Sequence, residues 1–324
     1  MNTETPETTP TRSGAARAGS QVSFALKIGL ILVSGLNFSL LFSVNKWAGN
    51  AGVPFAAYVF WYALGAAIVI GVVAVVRREP FPISRVYLRA HGVSAFLGFA
   101  FPFAIFAFVA SRLPSGIAVL FVILTPVFTY GWALLFRLER LRIGSVLGLA
   151  LGVAGVLLVV VPSGSLPEPH MVGWALLALV APACFAALNV YVDKFRPPNA
   201  SPITLAFGIS WASAFMLLPF MIGTGQLWAP FAGGADGGWA VIAAIAINSL
   251  IWPLFYGIIR LTGAFLFSMM NIVAVVFGFF WGWLFYAEAP STWIWAAAVL
   301  MLAAFGLIML QNRMRTAPDA PADN

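Results

Sequence analysis

Charge is what this sequence has least of. Only 8% of its 324 residues are Asp, Glu, Lys or Arg, against about a quarter in an ordinary soluble domain. That shortage excludes water as the main solvent of the fold. Cysteine is nearly absent too: Cys184 stands alone, so no intrachain disulfide can form. With His91 and His170 as the only histidines, the usual ligands for a zinc cluster are not there, and no cofactor is expected. There is no His-Glu-x-x-His, no Gly-x-Ser-x-Gly and no paired carboxylate within an apolar run, which leaves acid-base and nucleophilic catalysis without a visible set of residues. A channel or a sensor would call for a ring of like charges or a large soluble domain, and neither is present.

What is there is apolar sequence: 62% hydrophobic residues and a mean hydropathy of +0.97. Runs of about 20 residues, the length needed to cross a bilayer as helix, recur as Leu26–Lys46, Pro54–Val76, His91–Ser111, Leu113–Phe136, Ile143–Pro162, Gly173–Asp193, Pro202–Ile222, Trp239–Ile259, Ala264–Tyr286 and Thr292–Gln311. Residues 91–136 as one helix would reach ~69 Å, more than twice a hydrocarbon core of ~30 Å. A break is therefore expected at Arg112-Leu113-Pro114-Ser115-Gly116, and by the same reasoning at Arg260-Leu261-Thr262-Gly263. The first run exceeds the ~7–15 residues of a secretory signal core. Residues 1–25 and 312–324 are polar and are expected to be disordered cytoplasmic tails.

The formal net charge is +7, yet its carriers do not cluster as a nucleic-acid surface would require. They sit in the connections. With the N-terminus inside, Arg12, Arg17, Lys27, Arg77, Arg78, Arg85, Arg89, Arg137, Arg140, Arg142, Lys194, Arg196, Arg260, Arg313 and Arg315 fall on the cytoplasmic side and only Lys46 and Arg112 outside. That bias fixes the expected orientation, with both termini in the cytoplasm of a bacterial inner membrane.

The chain also repeats itself at an offset of 148. Val44-Asn45-Lys46-Trp47 meets Val192-Asp193-Lys194-Phe195, Pro54 meets Pro202, and Arg112-Leu113 meets Arg260-Leu261. After a slip of one residue, Trp132, Leu135, Phe136 and Glu139 meet Trp281, Leu284, Phe285 and Glu288. Five spans per repeat is an odd number, so residues 173–311 must lie inverted relative to residues 26–162. The fold class expected is thus all-α integral membrane, ten helices in two inverted five-helix repeats. Such repeats suit secondary transporters, which exchange inward-open and outward-open shapes around a central site.

At this point a resemblance emerges. The chain resembles the ten-helix EamA-type permeases of the drug/metabolite transporter superfamily over roughly residues 26–311. The likeness rests on Asn37-Phe38-Ser39 with Asn45-Lys46, on Pro114-Ser115-Gly116 with Pro126 and Glu139, on Gly148, Gly152 and Gly155, and on the second copy ending at Glu288. The family's glycine before the glutamate is Leu138 or Ala287 here, its ninth-span proline is Val275, and Trp61 stands where many members have arginine. The resemblance implies a permease with spans five and ten as scaffold.

Polar side chains at mid-depth are the default site candidates in hydrocarbon. Asn37 lies ~16 Å into the first run and Asn248 ~14 Å into the eighth at 1.5 Å per residue; both are expected to bind a small-molecule substrate. Asn189, Asn271 and Thr125 could contact substrate or hold helices together. Trp61 and Trp252 could wall the same cavity or sit at the membrane interface, whereas Tyr62 and Tyr256 are expected at the interface. Lys46, Glu139, Glu288, Arg112 and Arg260 end spans and are expected to gate or to hold structure, with Lys46 reaching for headgroups or for a substrate carboxylate. The small-residue stripes Gly144, Gly148, Gly152 and Ala296, Ala297, Ala303, Gly306 suit a close helix neighbour or a homodimer. The function expected is export of amino acids or related small polar compounds by alternating access. A channel, a sensor and an enzyme without a recognisable motif are the alternatives.

Overall fold

The computed structural model describes residues 23–137, 139, 143–195, 197 and 200–316. Arg140, Arg142, Arg196 and most of both expected tails lie outside them. Helices account for about four-fifths of the described residues: α1 Phe24–Asn50, α2 Phe55–Val76, α3 Arg85–Ala95, α4 Phe101–Val109, α5 Ser115–Val122, α6 Thr125–Leu135, α7 Ile143–Val160, α8 Met171–Ala178, α9 Val180–Phe195, α10 Pro202–Gly223, α11 Ala235–Tyr286 and α12 Thr292–Thr316. α12 extends into the expected C-terminal tail, through Thr316. Among the described residues, nine helical stretches are long and apolar enough to cross a bilayer, and the bent pair α5–α6 makes a tenth.

In lipid every amide must find its partner within the protein, and the interruptions of these helices show how that is met. Side-chain oxygens of Ser23, Ser84 and Ser201 accept the free amides of Leu26, Tyr87 and Thr204 at the starts of α1, α3 and α10. In the third span Pro102 has no N–H to give the carbonyl of Gly98, and the chain passes through a π-helical turn, Phe96–Ala100, before α4. In the fourth, Pro126 leaves the carbonyl of Val122 without its helical donor, and the hydroxyl of Thr125 donates to that carbonyl at 2.7 Å. The span bends by 42° there.

Helical structure runs unbroken from Ala235 to Tyr286, where the sequence led us to expect a break. Straight, such a helix would be ~78 Å long. Its two ends nevertheless meet the same end of the bundle. Just before it, the Gln226 side chain accepts the Ala56 amide at 3.1 Å, and at its close the Tyr286 hydroxyl donates to the Ser43 carbonyl at 2.6 Å. α11 is therefore a helical hairpin, with spans Ala235–Thr262 and Phe267–Tyr286. We call the face where α1 begins the near face and the face where it ends, which holds both ends of α11, the far face.

The packing shows the inverted repeat directly. α1 packs on both arms of α11, and its counterpart α9 packs on α4 and α6, the counterparts of those arms. α2 pairs with its own counterpart α10, and α7 with α12. The α7–α12 contact uses small residues: a Cβ on Gly148 would lie 3.2 Å from the Ala304 carbonyl, and one on Gly155 would lie 2.7 Å from Met301 Cγ and 3.2 Å from the Ala297 carbonyl. Gly152 instead faces Val127 of α6. Gly148, Gly152 and Gly155 of α7 thus pack within the chain.

Two glycine substitutions should separate packing from helix propensity. Gly155→Ala forces α7 and α12 apart and should cost ~1–3 kcal/mol, whereas Gly306→Ala meets nothing within 4 Å and should gain up to ~1 kcal/mol from helix propensity. Thermal unfolding in detergent should therefore shift in opposite directions, and equal shifts would sink the packing account.

Candidate functional site

At mid-depth, spans one, two, three, six and eight converge on an aromatic cage. Phe99, carried by the π-helical turn, stacks on Trp252 with centroids 5.7 Å apart and lies 5.7 Å from Tyr62. Phe103 meets Trp252 at 6.3 Å, Tyr62 at 6.4 Å and Phe185 at 5.8 Å. Gly98 allows this approach, since a Cβ there would lie 2.5 Å from Leu188 and 3.5 Å from the Trp252 ring. Tyr62, Asn248 and Trp252 are buried, and the Tyr62 hydroxyl, the Asn248 Oδ1 and the Trp252 indole N–H have no hydrogen-bond partner in the protein. Each such group costs ~1–3 kcal/mol to bury unpaired. Several of them in one apolar cage is the pattern of a site that binds something polar.

Asn37 and Asn248 are brought together, but they do different work. The Asn37 amide donates to the Ile247 carbonyl at 3.1 Å, tying α1 to α11. Asn248 donates to the Ala244 carbonyl of its own helix at 3.0 Å and keeps its oxygen for another partner. Pro253, immediately after Trp252, leaves the Ser249 carbonyl without its helical donor. Tyr62 belongs to the cage, not to the interface, and buried Tyr256 packs 6.2 Å from Trp252.

The other expected site residues lie elsewhere. The Trp61 indole donates to the Trp228 carbonyl at 2.7 Å in the far-face connection before α11. Thr125 spends its hydroxyl on the bend of the fourth span. Asn189 is exposed and reaches Thr129 Oγ1 only at 3.5 Å, and Asn271 is half-buried on the second arm of α11. Arg260 is exposed. Arg112 is exposed too and closes α4, donating to the Phe108 carbonyl at 2.6 Å with its guanidinium 4.8 Å from the Trp174 ring. Phe99, Phe103 and Phe185 were not singled out by sequence; the signal available was Pro102 within an apolar span.

Between the cage and the far face, Lys46 and Glu288 form an ion pair at 2.5 Å, with side chains only 17% and 12% exposed. The Glu288 carboxylate also accepts the Ser115 amide at 3.0 Å, the Ser115 hydroxyl at 3.1 Å and the Gly116 amide at 3.3 Å. It therefore caps α5, whose first amides have no helical partner. Gly282 makes room for it, because a Cβ there would collide with Oε2. The Lys46 ammonium lies 4.8 Å from the Tyr286 ring centre.

Two recesses open nearby. One of about 250 Å³ lies beside Glu288 on the far face, lined by Pro114, Ile117, Leu166, Phe279 and Ile294 among others. The other, on the near face, is a narrow cleft of only about 10 Å³ between His91, Ser94, Tyr191, Leu205 and Tyr256. Tyr256 on its wall packs against Trp252 of the cage, with ring centroids 6.2 Å apart.

Comparison with known proteins adds the following. Residues 25–161 match the model of the EamA-like transporter family. A crystal structure of a protein with 20% sequence identity superposes with a TM-score of 0.55, over 90% of this chain and 99% of that one, which shows a shared fold across both halves. No curated protein matches the chain.

Thr125→Val should lower thermal stability by ~1–2 kcal/mol by leaving the Val122 carbonyl unpaired, while Thr125→Ser should behave as the parent. If the Val variant were as stable as the parent, the hydroxyl would not be what satisfies the bend.

Proposed function

We propose that this chain, whose residues 25–161 match the model of the EamA-like transporter family, is a secondary carrier that exports a small polar metabolite, an amino acid or a related compound, by alternating access. The family and the apolar spans make it a multi-pass membrane transporter; the solute, the direction and the mechanism are our reading. The observation that carries it is the cage at Tyr62, Trp252 and Asn248, with its buried polar atoms unpaired by the protein. The amide oxygen can accept from an ammonium group. The indole N–H and the phenol can donate to a carboxylate, and the rings supply flat apolar contact.

The basic connections favour placing the near face in the cytoplasm of a bacterial inner membrane. In that orientation the narrow cleft at His91 and Tyr256 lies on the inside, where rocking would widen it for solute, and the contacts around Glu288 close the outside. The two arms of α11 and α1, with their inverted counterparts, are the parts that would rock around the cage.

In proteoliposomes, uptake should saturate and be accelerated by unlabelled solute on the opposite side, with a screen of amino acids, sugars, nucleosides and polyamines identifying the solute. Conduction without acceleration would point to a channel, and a chemically altered solute to an enzyme. Asn248→Ala should abolish transport while membrane insertion stays intact. Tyr62→Phe, which removes one hydroxyl, should weaken apparent affinity roughly fivefold; parental transport in both variants would move the site away from the cage.

A further inference from the structure

Beyond the cage, toward the far face, one more amide is left unpaired. Asn45 is only 2% exposed, and its Nδ2 has no hydrogen-bond partner among the described residues. Its Oδ1 accepts the Tyr58 hydroxyl at 3.0 Å, which fixes the side chain and leaves the N–H groups to be used elsewhere. Tyr58 is buried as well, with its ring edge-on to Tyr62 at 5.0 Å between centroids. Tyr62 is a wall of the cage. A single pair of rings therefore connects the cage to Asn45.

Depth separates the two. Asn45 stands eight residues beyond Asn37 on α1, ~12 Å nearer the far face at 1.5 Å per residue. Asn37 bonds the Ile247 carbonyl, next in the chain to Asn248, so Asn45 lies about two helical turns outward of the Asn248 level. The ammonium and carboxylate of an amino acid, joined through one carbon, cannot span that interval. The serine hydroxyls left unpaired at Ser34, Ser43 and Ser210 say less, because a helical serine can turn to the carbonyl one turn back. Asn45, held by Tyr58, has no such choice.

We infer that Asn45, oriented by Tyr58, is a second binding station between the cage and the far face, and that it takes the carboxylate of the solute. The inference rests on the carrier reading and adds to it a position and a chemical class. Asn45 presents donors while its oxygen is engaged, and of the groups an amino acid carries the carboxylate is the strong acceptor. The cage differs: it has an unpaired acceptor in Asn248 Oδ1 beside the donors of Tyr62 and Trp252, so an amine without a carboxylate fits the cage and not the outer station.

Isothermal titration calorimetry of the purified full-length protein reads the two stations as stoichiometry, with each of the common L-amino acids and with the corresponding amines that lack the carboxylate as probes. The parent should bind two equivalents of an amino acid and one of an amine. Asn45→Leu should bind one equivalent of either, at the affinity of the cage, and Asn248→Ala should keep the outer equivalent of the amino acid. If Asn45→Leu does not fold, Tyr58→Phe, which frees the amide to turn, should weaken the outer equivalent roughly fivefold and leave amine binding as in the parent. One equivalent of amino acid in the parent, amines that fill both stations, or two equivalents in Asn45→Leu, as when the amide holds only water, overturns the assignment. So does a lack of binding by every amino acid. Alternating access survives that last result if counterflow is seen with a sugar, a nucleoside or a polyamine, and fails if counterflow is absent for all of them.

Discussion

Within hydrocarbon no amide or carbonyl can borrow a partner from water, and the shape of this protein follows from how it meets that demand where its helices are interrupted. A proline or a chain break frees one backbone group, and a side chain or a change of helical pitch has to answer it. Thr125 answers Pro126 and bends the fourth span. The π-helical turn answers Pro102. Glu288 answers the first amides of α5.

Each of these repairs also positions something. The π-helical turn carries Phe99 onto Trp252 and Tyr62, so the cage wall is a consequence of where Pro102 stands. The cap on α5 draws the end of α11 across to α1 and fixes the far face. The groups left unanswered are then informative by contrast. The starts of α1, α2, α3, α5 and α10 are met by serine, glutamine or glutamate, while the Asn248 oxygen, the Trp252 indole and the Tyr62 hydroxyl are not met by the protein. Buried polar atoms of Ser34, Ser43, Asn45, Ser210 and Trp281 are unpaired as well, but the groups of Asn248, Trp252 and Tyr62 share one apolar cage where spans from both repeats converge.

Division of labour between spans has a packing origin as well. α7 turns glycines toward α12, whose Ala297 and Ala304 carbonyls lie against them. That contact leaves no room for polar side chains and suits a scaffold. The spans around the cage are aromatic, and apart from the Phe99–Trp252 stack their rings meet at tilted and edge-on angles that a few ångströms of movement can rearrange.

By itself the sequence determined the solvent, the number of spans, their inversion and the rarity of charge, because each depends on composition and period, which are local properties of the chain. Asn37 and Asn248 could be placed at mid-depth by counting residues, and Glu139 and Glu288 paired by their offset. Tertiary structure decided what those residues do. Asn37 ties two helices while Asn248 keeps an oxygen unspent, Thr125 serves a bend, Tyr62 turns inward, and Lys46 meets Glu288, which lies 242 residues away in sequence. The reason is that hydropathy sets the depth of a residue in a bilayer, but not which neighbour it faces; that depends on how ten helices rotate about their axes when they pack.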